Sequence, residues 1–301
     1  MKRTNYVYYV LVCMLLCFTA CDKEKSSIED EIPAAINSDF SKRSPSAEIT
    51  TFNNYSNNIF LINYIDQEQN EASTWYDNEN WEMTYTQISD IQRLPFEVLN
   101  AFMGTQYRDA KDIEISKTER TGIDKALYMI HFQYRWKDVE NVEHYVFISE
   151  DGLVLSTFTW KPNDTRWFVK LPQDHFDFIA RKYNGAEIKG YVNNAGEHEY
   201  FILHNDTVKY VTFRGNISTD WGYWKETRYE LNKNTKIPDN VARALTRIDP
   251  SFTYTNVYYV ESNDGNWYFL QDKTRDDELG YNIREDTLPH FRFACVVFLY
   301  S

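Results

Sequence analysis

An aliphatic residue followed by proline recurs four times in this 301-residue chain, as Ile32-Pro33, Leu94-Pro95, Leu171-Pro172 and Ile237-Pro238. The prolines stand 62, 77 and 66 residues apart, and recurrence on that scale marks repeated supersecondary units. Aligned on the prolines, plus three carries Ile36, Val98, His175 and Val241, and plus seven carries Phe40, Phe102, Ile179 and Leu245. Plus sixteen carries Ile49, Ile188 and Tyr254, with Ile113 two residues late. Proline suits the first turn of a helix, where its missing N–H has no partner anyway and its φ is already helical. Residues three, four and seven apart share a helix face. Each unit is therefore expected to open with a helix of about three turns, with plus three and plus seven in the core.

The N-terminus reads differently. Lys2 and Arg3 precede an apolar run from Tyr6 to Ala20, which ends in Phe18-Thr19-Ala20-Cys21. A basic head, a short apolar core and small residues before a cut are the marks of a secretory signal, and the run is short for the ~20 residues that span a bilayer. With cysteine at the first mature position, residues 1–20 are similar to a bacterial lipoprotein signal. That likeness implies thioether lipidation of Cys21, with residues 21–31 as a charged, flexible tether.

Composition narrows the partners. The formal net charge is −13, and loss of Lys2 and Arg3 with the signal makes the remainder more acidic still. Nucleic acid needs clustered Lys and Arg, so it is not an expected partner, and the membrane is expected to be met only through the lipid. Of the 4 cysteines, Cys13 and Cys17 leave with the signal and Cys21 is acylated. Cys295 then stands alone, which excludes an internal disulfide.

Aromatics make up 17% of the chain, and their frequency in short runs favours strands. After the first helix come Ile59 to Ile65, Ala72 to Asp77 and Trp81 to Thr86; after the second, Leu127 to Trp136, Val142 to Ile148 and Leu153 to Trp160. After the third come Glu199 to His204, Val208 to Phe213 and Trp221 to Leu231. After the fourth come Tyr254 to Glu261, Trp267 to Gln271, Leu279 to Arg284 and the run Phe291 to Tyr300. The expected fold class is α+β, with four tandem helix-plus-antiparallel-meander repeats paired into two domains, 32–165 and 166–301. Lys161-Pro162-Asn163-Asp164 marks the boundary.

The aliphatic-proline helix start, an aromatic at plus seven as in Phe40 and Phe102, a meander, and acidic turns flanked by aromatics, as in Trp75-Tyr76-Asp77-Asn78-Glu79-Asn80-Trp81, resemble the PepSY-like repeats of Bacteroidota lipoproteins. Those are similar in fold to the β-lactamase inhibitory protein, whose tandem modules present a sheet to a partner protein. The resemblance covers nearly all of residues 32–301. His175 departs from it, as do the turns of the third and fourth units. It implies a fold and an outer-membrane lipoprotein on the periplasmic face or the cell surface, and it carries over no catalytic residue.

Motifs for catalysis are missing: there is no Gly-x-Ser-x-Gly, no His-Glu-x-x-His, no P-loop and no dinucleotide turn. The 6 histidines are scattered. His131 and His144 lie on adjacent expected strands, where a pair or metal site is conceivable and two ordinary strand histidines are the plainer reading. No enzyme activity, cofactor or metal is expected. The remaining signal is aromatic surplus, because Trp221, Tyr223 and Tyr229 alternate with Trp224. The expected function is a lipid-anchored envelope module, binding or inhibitor-like, that presents an aromatic-bearing sheet face to a protein partner. Trp221, Tyr223 and Trp224 carry that face in the second domain, and Trp81 and Tyr145 in the first. A glycan-binding lipoprotein is the alternative, and an envelope hydrolase using paired carboxylates is a further one.

Overall fold

Each of the four prolines stands immediately before a helix. Helix α1 is Ala34–Arg43, α2 Phe96–Met103, α3 Gln173–Lys182 and α4 Asp239–Ile248. The prolines take the cap position one residue ahead of the expected first turn, with ψ between 132° and 145° and no side-chain cap. Their carbonyls accept the first helical bonds, as from Asn37 N to Pro33 O at 2.9 Å and Leu99 N to Pro95 O at 2.9 Å. An N–H is absent where none could be satisfied. This computed structural model describes residues 28–55, 58–136, 139–158, 168–194, 197–214, 223–232, 234–272 and 280–285. The signal, Cys21, the boundary loop 161–164, Trp221 and Cys295 lie outside the described residues. Residues 28–31, at the end of the expected tether, form one exposed helical turn with Glu29, Asp30 and Glu31 in it. Acidic side chains in a first turn are favoured by the helix dipole.

The chain is mixed and sheet-dominated, with two antiparallel sheets. The first runs in chain order through β1 (Glu48–Tyr55), β2 (Ile59–Ile65), β3 (Glu71–Asp77), β4 (Asn80–Ile88), β5 (Lys111–Arg120), β6 (Ile123–Trp136), β7 (Val139–Ser149) and β8 (Val154–Phe158). The second runs through β9 (Glu187–Asn194), β10 (Glu197–His204), β11 (Thr207–Arg214), β12 (Tyr223–Glu230), β13 (Asn256–Ser262), β14 (Trp267–Gln271) and β15 (Gly280–Arg284). Strands β1, β5 and β9, each the first after its helix, go beyond the expected runs.

One face of each sheet is covered by its helices. Ile36 and Phe40 of α1 pack on Phe60, Ile62, Tyr64 and Tyr76, while Val98 and Phe102 of α2 pack on Ile115, Tyr128, Ile130 and Phe132. In the second sheet, Ile179 meets Tyr191, Tyr200 and Val211, and Val241 and Leu245 meet Tyr268 and Leu270. All four plus-seven side chains are buried. So is His175, which stacks 3.8 Å from Phe213 and bonds the Tyr200 hydroxyl through Nδ1 at 3.1 Å.

The opposite faces meet each other in part. Leu127, Tyr145, Phe147 and Leu155 of β6, β7 and β8 form one apolar cluster with Val192 of β9 and Phe201 of β10. Tyr210 of β11 donates to the Leu155 carbonyl at 2.7 Å. Lys189 of β9, itself 3% exposed, reaches Asp151 at 2.6 Å and Glu187 at 2.7 Å. Burial alone would raise the Asp151 carboxyl, but hydrogen bonds from Lys189 and Ser149 hold it below its ordinary value. Asp151 lies in the turn after β7, where Gly152 has φ +82° and a Cβ would fall 2.8 Å from the Glu97 carbonyl oxygen. Only glycine fits that approach of turn to helix.

Candidate partner-binding face

Strand β12 sets which rings point where. Thr212 of β11 pairs with Glu226 while the next residue, Phe213, pairs with Trp224, so Lys225 is an extra residue. A bulge of this kind reverses the side-chain alternation downstream. Trp224, Thr227 and Tyr229 therefore share the helix face, and Tyr229 does not stand opposite Trp224 as simple alternation predicts. Strand β4 carries the same device: Trp75 pairs with Met83 and Tyr76 with Trp81, leaving Glu82 extra.

The expected site residues accordingly separate. Trp224 stacks on Phe178 of α3 at 5.5 Å and donates from Nε1 to Thr227 Oγ1 at 3.0 Å. Trp81 is also on the helix face, with the Arg43 guanidinium 4.2 Å from its ring centroid. Neither stands on an outer sheet face, which corrects their expected position. Tyr145 is 3% exposed within the cluster between the sheets, so its ring is taken up by packing. Tyr223 alone of the described candidates stands out in solvent, at 59% exposure.

Around Tyr223 the outer face of β12, β13 and β14 carries residues that the alternation of each strand could have revealed. One row runs through Arg228, Val260 and Trp267, and a neighbouring pair is Tyr258 and Phe269. Tyr223, Arg228, Val260, Trp267 and Phe269 line a groove of about 380 Å³ that also includes Arg214, Lys225, Glu226 and Asp264. Glu197 answers two of the cations, binding Lys225 at 2.8 Å and Arg214 at 3.4 Å. The Arg228 guanidinium lies 5.0 Å from the Tyr210 ring and 6.0 Å from Tyr258, and its buried Nε has no hydrogen-bond partner among the described residues. Burial pushes the nearby Glu199 carboxyl up, against the opposing pull of Arg228.

The two strand histidines do not meet. His131 pairs with Tyr145, stacking at 4.5 Å and bonding Glu114 at 3.0 Å, whereas His144 pairs with Phe132 on the helix face. Among the described residues no group of three or more His, Cys, Asp or Glu side chains could hold a metal ion, and no helix is long and apolar enough to cross a membrane.

No protein-family model and no curated protein matches the chain. Solved structures do resemble parts of it. A BLIP-like protein from Bacteroides fragilis is 22% identical, with a TM-score of 0.37 over 45% of this chain and 92% of that one. A DUF2874 family protein from Bacteroides ovatus is 21% identical, with a TM-score of 0.34 over 42% and 86%. A second DUF2874 family protein, from Bacteroides uniformis, is 14% identical, with a TM-score of 0.35 over 44% and 95%.

Proposed function

We propose that the chain is a lipid-anchored, non-catalytic binding or inhibitor-like module of the cell envelope, attached through Cys21 to the outer membrane. Its four helix-plus-meander repeats pair into two domains, and the second domain offers a protein partner the outer face of β12 to β14. The observation that carries this reading is the groove around Tyr223, Arg228, Trp267 and Phe269, none of whose described lining residues belongs to the first sheet. Large rings interleaved with a guanidinium are the residue types that dominate interface energies, because they bring wide, rigid contact area and bidentate hydrogen bonding. The partner that fits is a protein segment that places a carboxylate on Arg228 and apolar side chains on the flanking rings.

The test uses residues 22–301 as bait in native envelope, comparing wild type with Tyr223→Ala at matched melting temperature. Removing one ring from an interface centre commonly costs about 2 kcal/mol or more. Retention of a stoichiometric protein by wild type, with at least tenfold loss in Tyr223→Ala, is the expected result. Equal retention by both proteins contradicts the proposed face.

A further inference from the structure

The strongest observation outside that face comes from laying one sheet's helix face on the other's. In both sheets a helix ends in a cation over a tryptophan: Arg43 stands 4.2 Å from the Trp81 ring centroid and Lys182 4.3 Å from that of Trp224. In both, the indole donates to a threonine three residues on, Thr84 at 2.9 Å and Thr227 at 3.0 Å. Each threonine then pairs with a glutamate on the next strand, Glu119 or Glu261. The residue after each helix has the same backbone, φ −128° and ψ 66° at Ser44 against φ −124° and ψ 65° at Tyr183.

On this shared frame the two sheets differ in what fills the space. In the second, Tyr183 turns its ring in and bonds Glu261 at 3.2 Å, and Tyr229 and Tyr259 pair 5.7 Å apart. In the first, those places belong to Ser44, Thr86 and Lys117, which pair or cap in the same way but are shorter or more polar. What remains is a cavity of about 420 Å³ beside Trp81, bounded by the end of α1, the turn at Asp66 and strands β4 and β5. That size lies within the range of small-ligand pockets, about 300–1,000 Å³.

We infer that this cavity is a binding site for a neutral saccharide of one or two rings. Its wall places an indole among hydroxyl, cationic and carboxylate groups. Arg43, which also holds Asp39 at 2.6 Å, and Lys117 donate, and Asp66, Glu68 and Glu119 accept; of the hydroxyls, Ser44 donates to Tyr64 at 3.1 Å and Thr84 is taken by Trp81 and Thr74, so they serve a ligand through their remaining capacity. Two cations against three carboxylates give no preference for an anion, and Lys117 and Glu119 already hold each other at 2.9 Å. A ligand rich in hydroxyls satisfies donors and acceptors together, and it meets the indole beside the Arg43 guanidinium that covers one ring face. This site is independent of the outer face of the second sheet.

The test is calorimetric titration of the full chain with D-glucose, D-galactose, N-acetyl-D-glucosamine, maltose and inorganic phosphate. At least one sugar is expected to saturate one site per chain, and phosphate is not. Ser44→Tyr with Thr86→Tyr, which copies the filling of the second sheet, should raise that Kd at least tenfold without lowering the melting temperature. Glu119→Gln, on a side chain 43% exposed, should also weaken binding at least tenfold and serves if the tyrosine pair disturbs folding. Binding of phosphate alone, binding of no sugar, or sugar binding unchanged in both variants overturns the inference.

Discussion

The Arg120 guanidinium, at the end of β5 in the first sheet, lies 5.0 Å from the centroid of the Tyr191 ring in β9 of the second. Arg120 is 8% exposed and also donates to the Val169 carbonyl at 3.1 Å. Burial lowers its pKa and neighbouring tyrosines oppose the shift, yet a guanidinium stays charged far above neutral pH. The cation is therefore held by the Tyr191 ring face and a carbonyl, with the Glu82 charge nearby and its long stem adding packing. Arg120→Ala should cost about 2 kcal/mol or more in urea unfolding, because the carbonyl loses its donor and the Tyr191 ring its cover. Arg120→Met should recover part of that loss by restoring the stem. No loss in the alanine variant would mean that the contact is incidental.

The sheets press close together at Gly190 in β9. A Cβ there would stand 2.9 Å from Leu127 Cδ1 of β6 and 3.3 Å from Phe201 Cδ2. Gly190→Val should cost about 1–3 kcal/mol by overpacking. Combined with Leu127→Ala, which vacates the space, it should cost less than the sum of the two single changes. A double-mutant cycle measures this coupling, and strict additivity would show that the sheets do not press on each other at this point.

Phe40, Phe102, Ile179 and Leu245 are each 6% exposed or less. Each change to alanine should cost about 2–5 kcal/mol, measured by chemical unfolding. A loss below 1 kcal/mol at any one of them would remove that position from the core.

Acid should weaken the fold through histidine. Burial among Tyr107, Phe132 and Tyr134 lowers the His144 pKa to about 4, and burial, with the Arg120 cation second, lowers that of His198. Between the ordinary imidazole value of about 6.5 and the folded value, the unfolded chain binds a proton that the folded chain does not. Stability should therefore fall as pH drops from about 6.5 towards 4. His144→Phe should flatten part of that slope in melting scans, and an unchanged slope would assign the acid sensitivity elsewhere.

Much of the scaffold was legible because it rests on local rules. Proline before each helix needs only its own geometry, and strands such as Ile59–Ile65 or Trp267–Gln271 announce themselves by rings and branched side chains. Strands β1, β5 and β9 escaped notice for a physical reason. Glu48–Tyr55 is mostly exposed at a sheet edge, and Lys111–Arg120 and Glu187–Asn194 are rich in charge or amide. Their place in the ladder comes from neighbours rather than from their own hydrophobicity. The candidate face failed in part at a single residue, since the bulge at Lys225 turns Tyr229 to the helices. Tyr145 was lost to packing between sheets, which no one strand's pattern reveals. Trp267 and Phe269 are legible by simple alternation, since they share one face of β14 opposite the core residues Tyr268 and Leu270.

Tyr223 and Trp224 are neighbours in the chain and belong to different worlds, one at 59% exposure and the other stacked on Phe178 at 5.5 Å. Trp224→Ala should lower the melting temperature by several degrees, and Tyr223→Ala should leave it within about one degree.

The most direct measurement of the proposed face is site-specific photo-crosslinking in intact envelope. A benzophenone side chain is placed at position 223 in one protein and at position 96, where Phe96 is 75% exposed on α2, in another. The account predicts one discrete protein adduct from position 223, lost when Arg228→Ala is added, and none of that mass from position 96. The same adduct from both positions, or none from position 223, contradicts it.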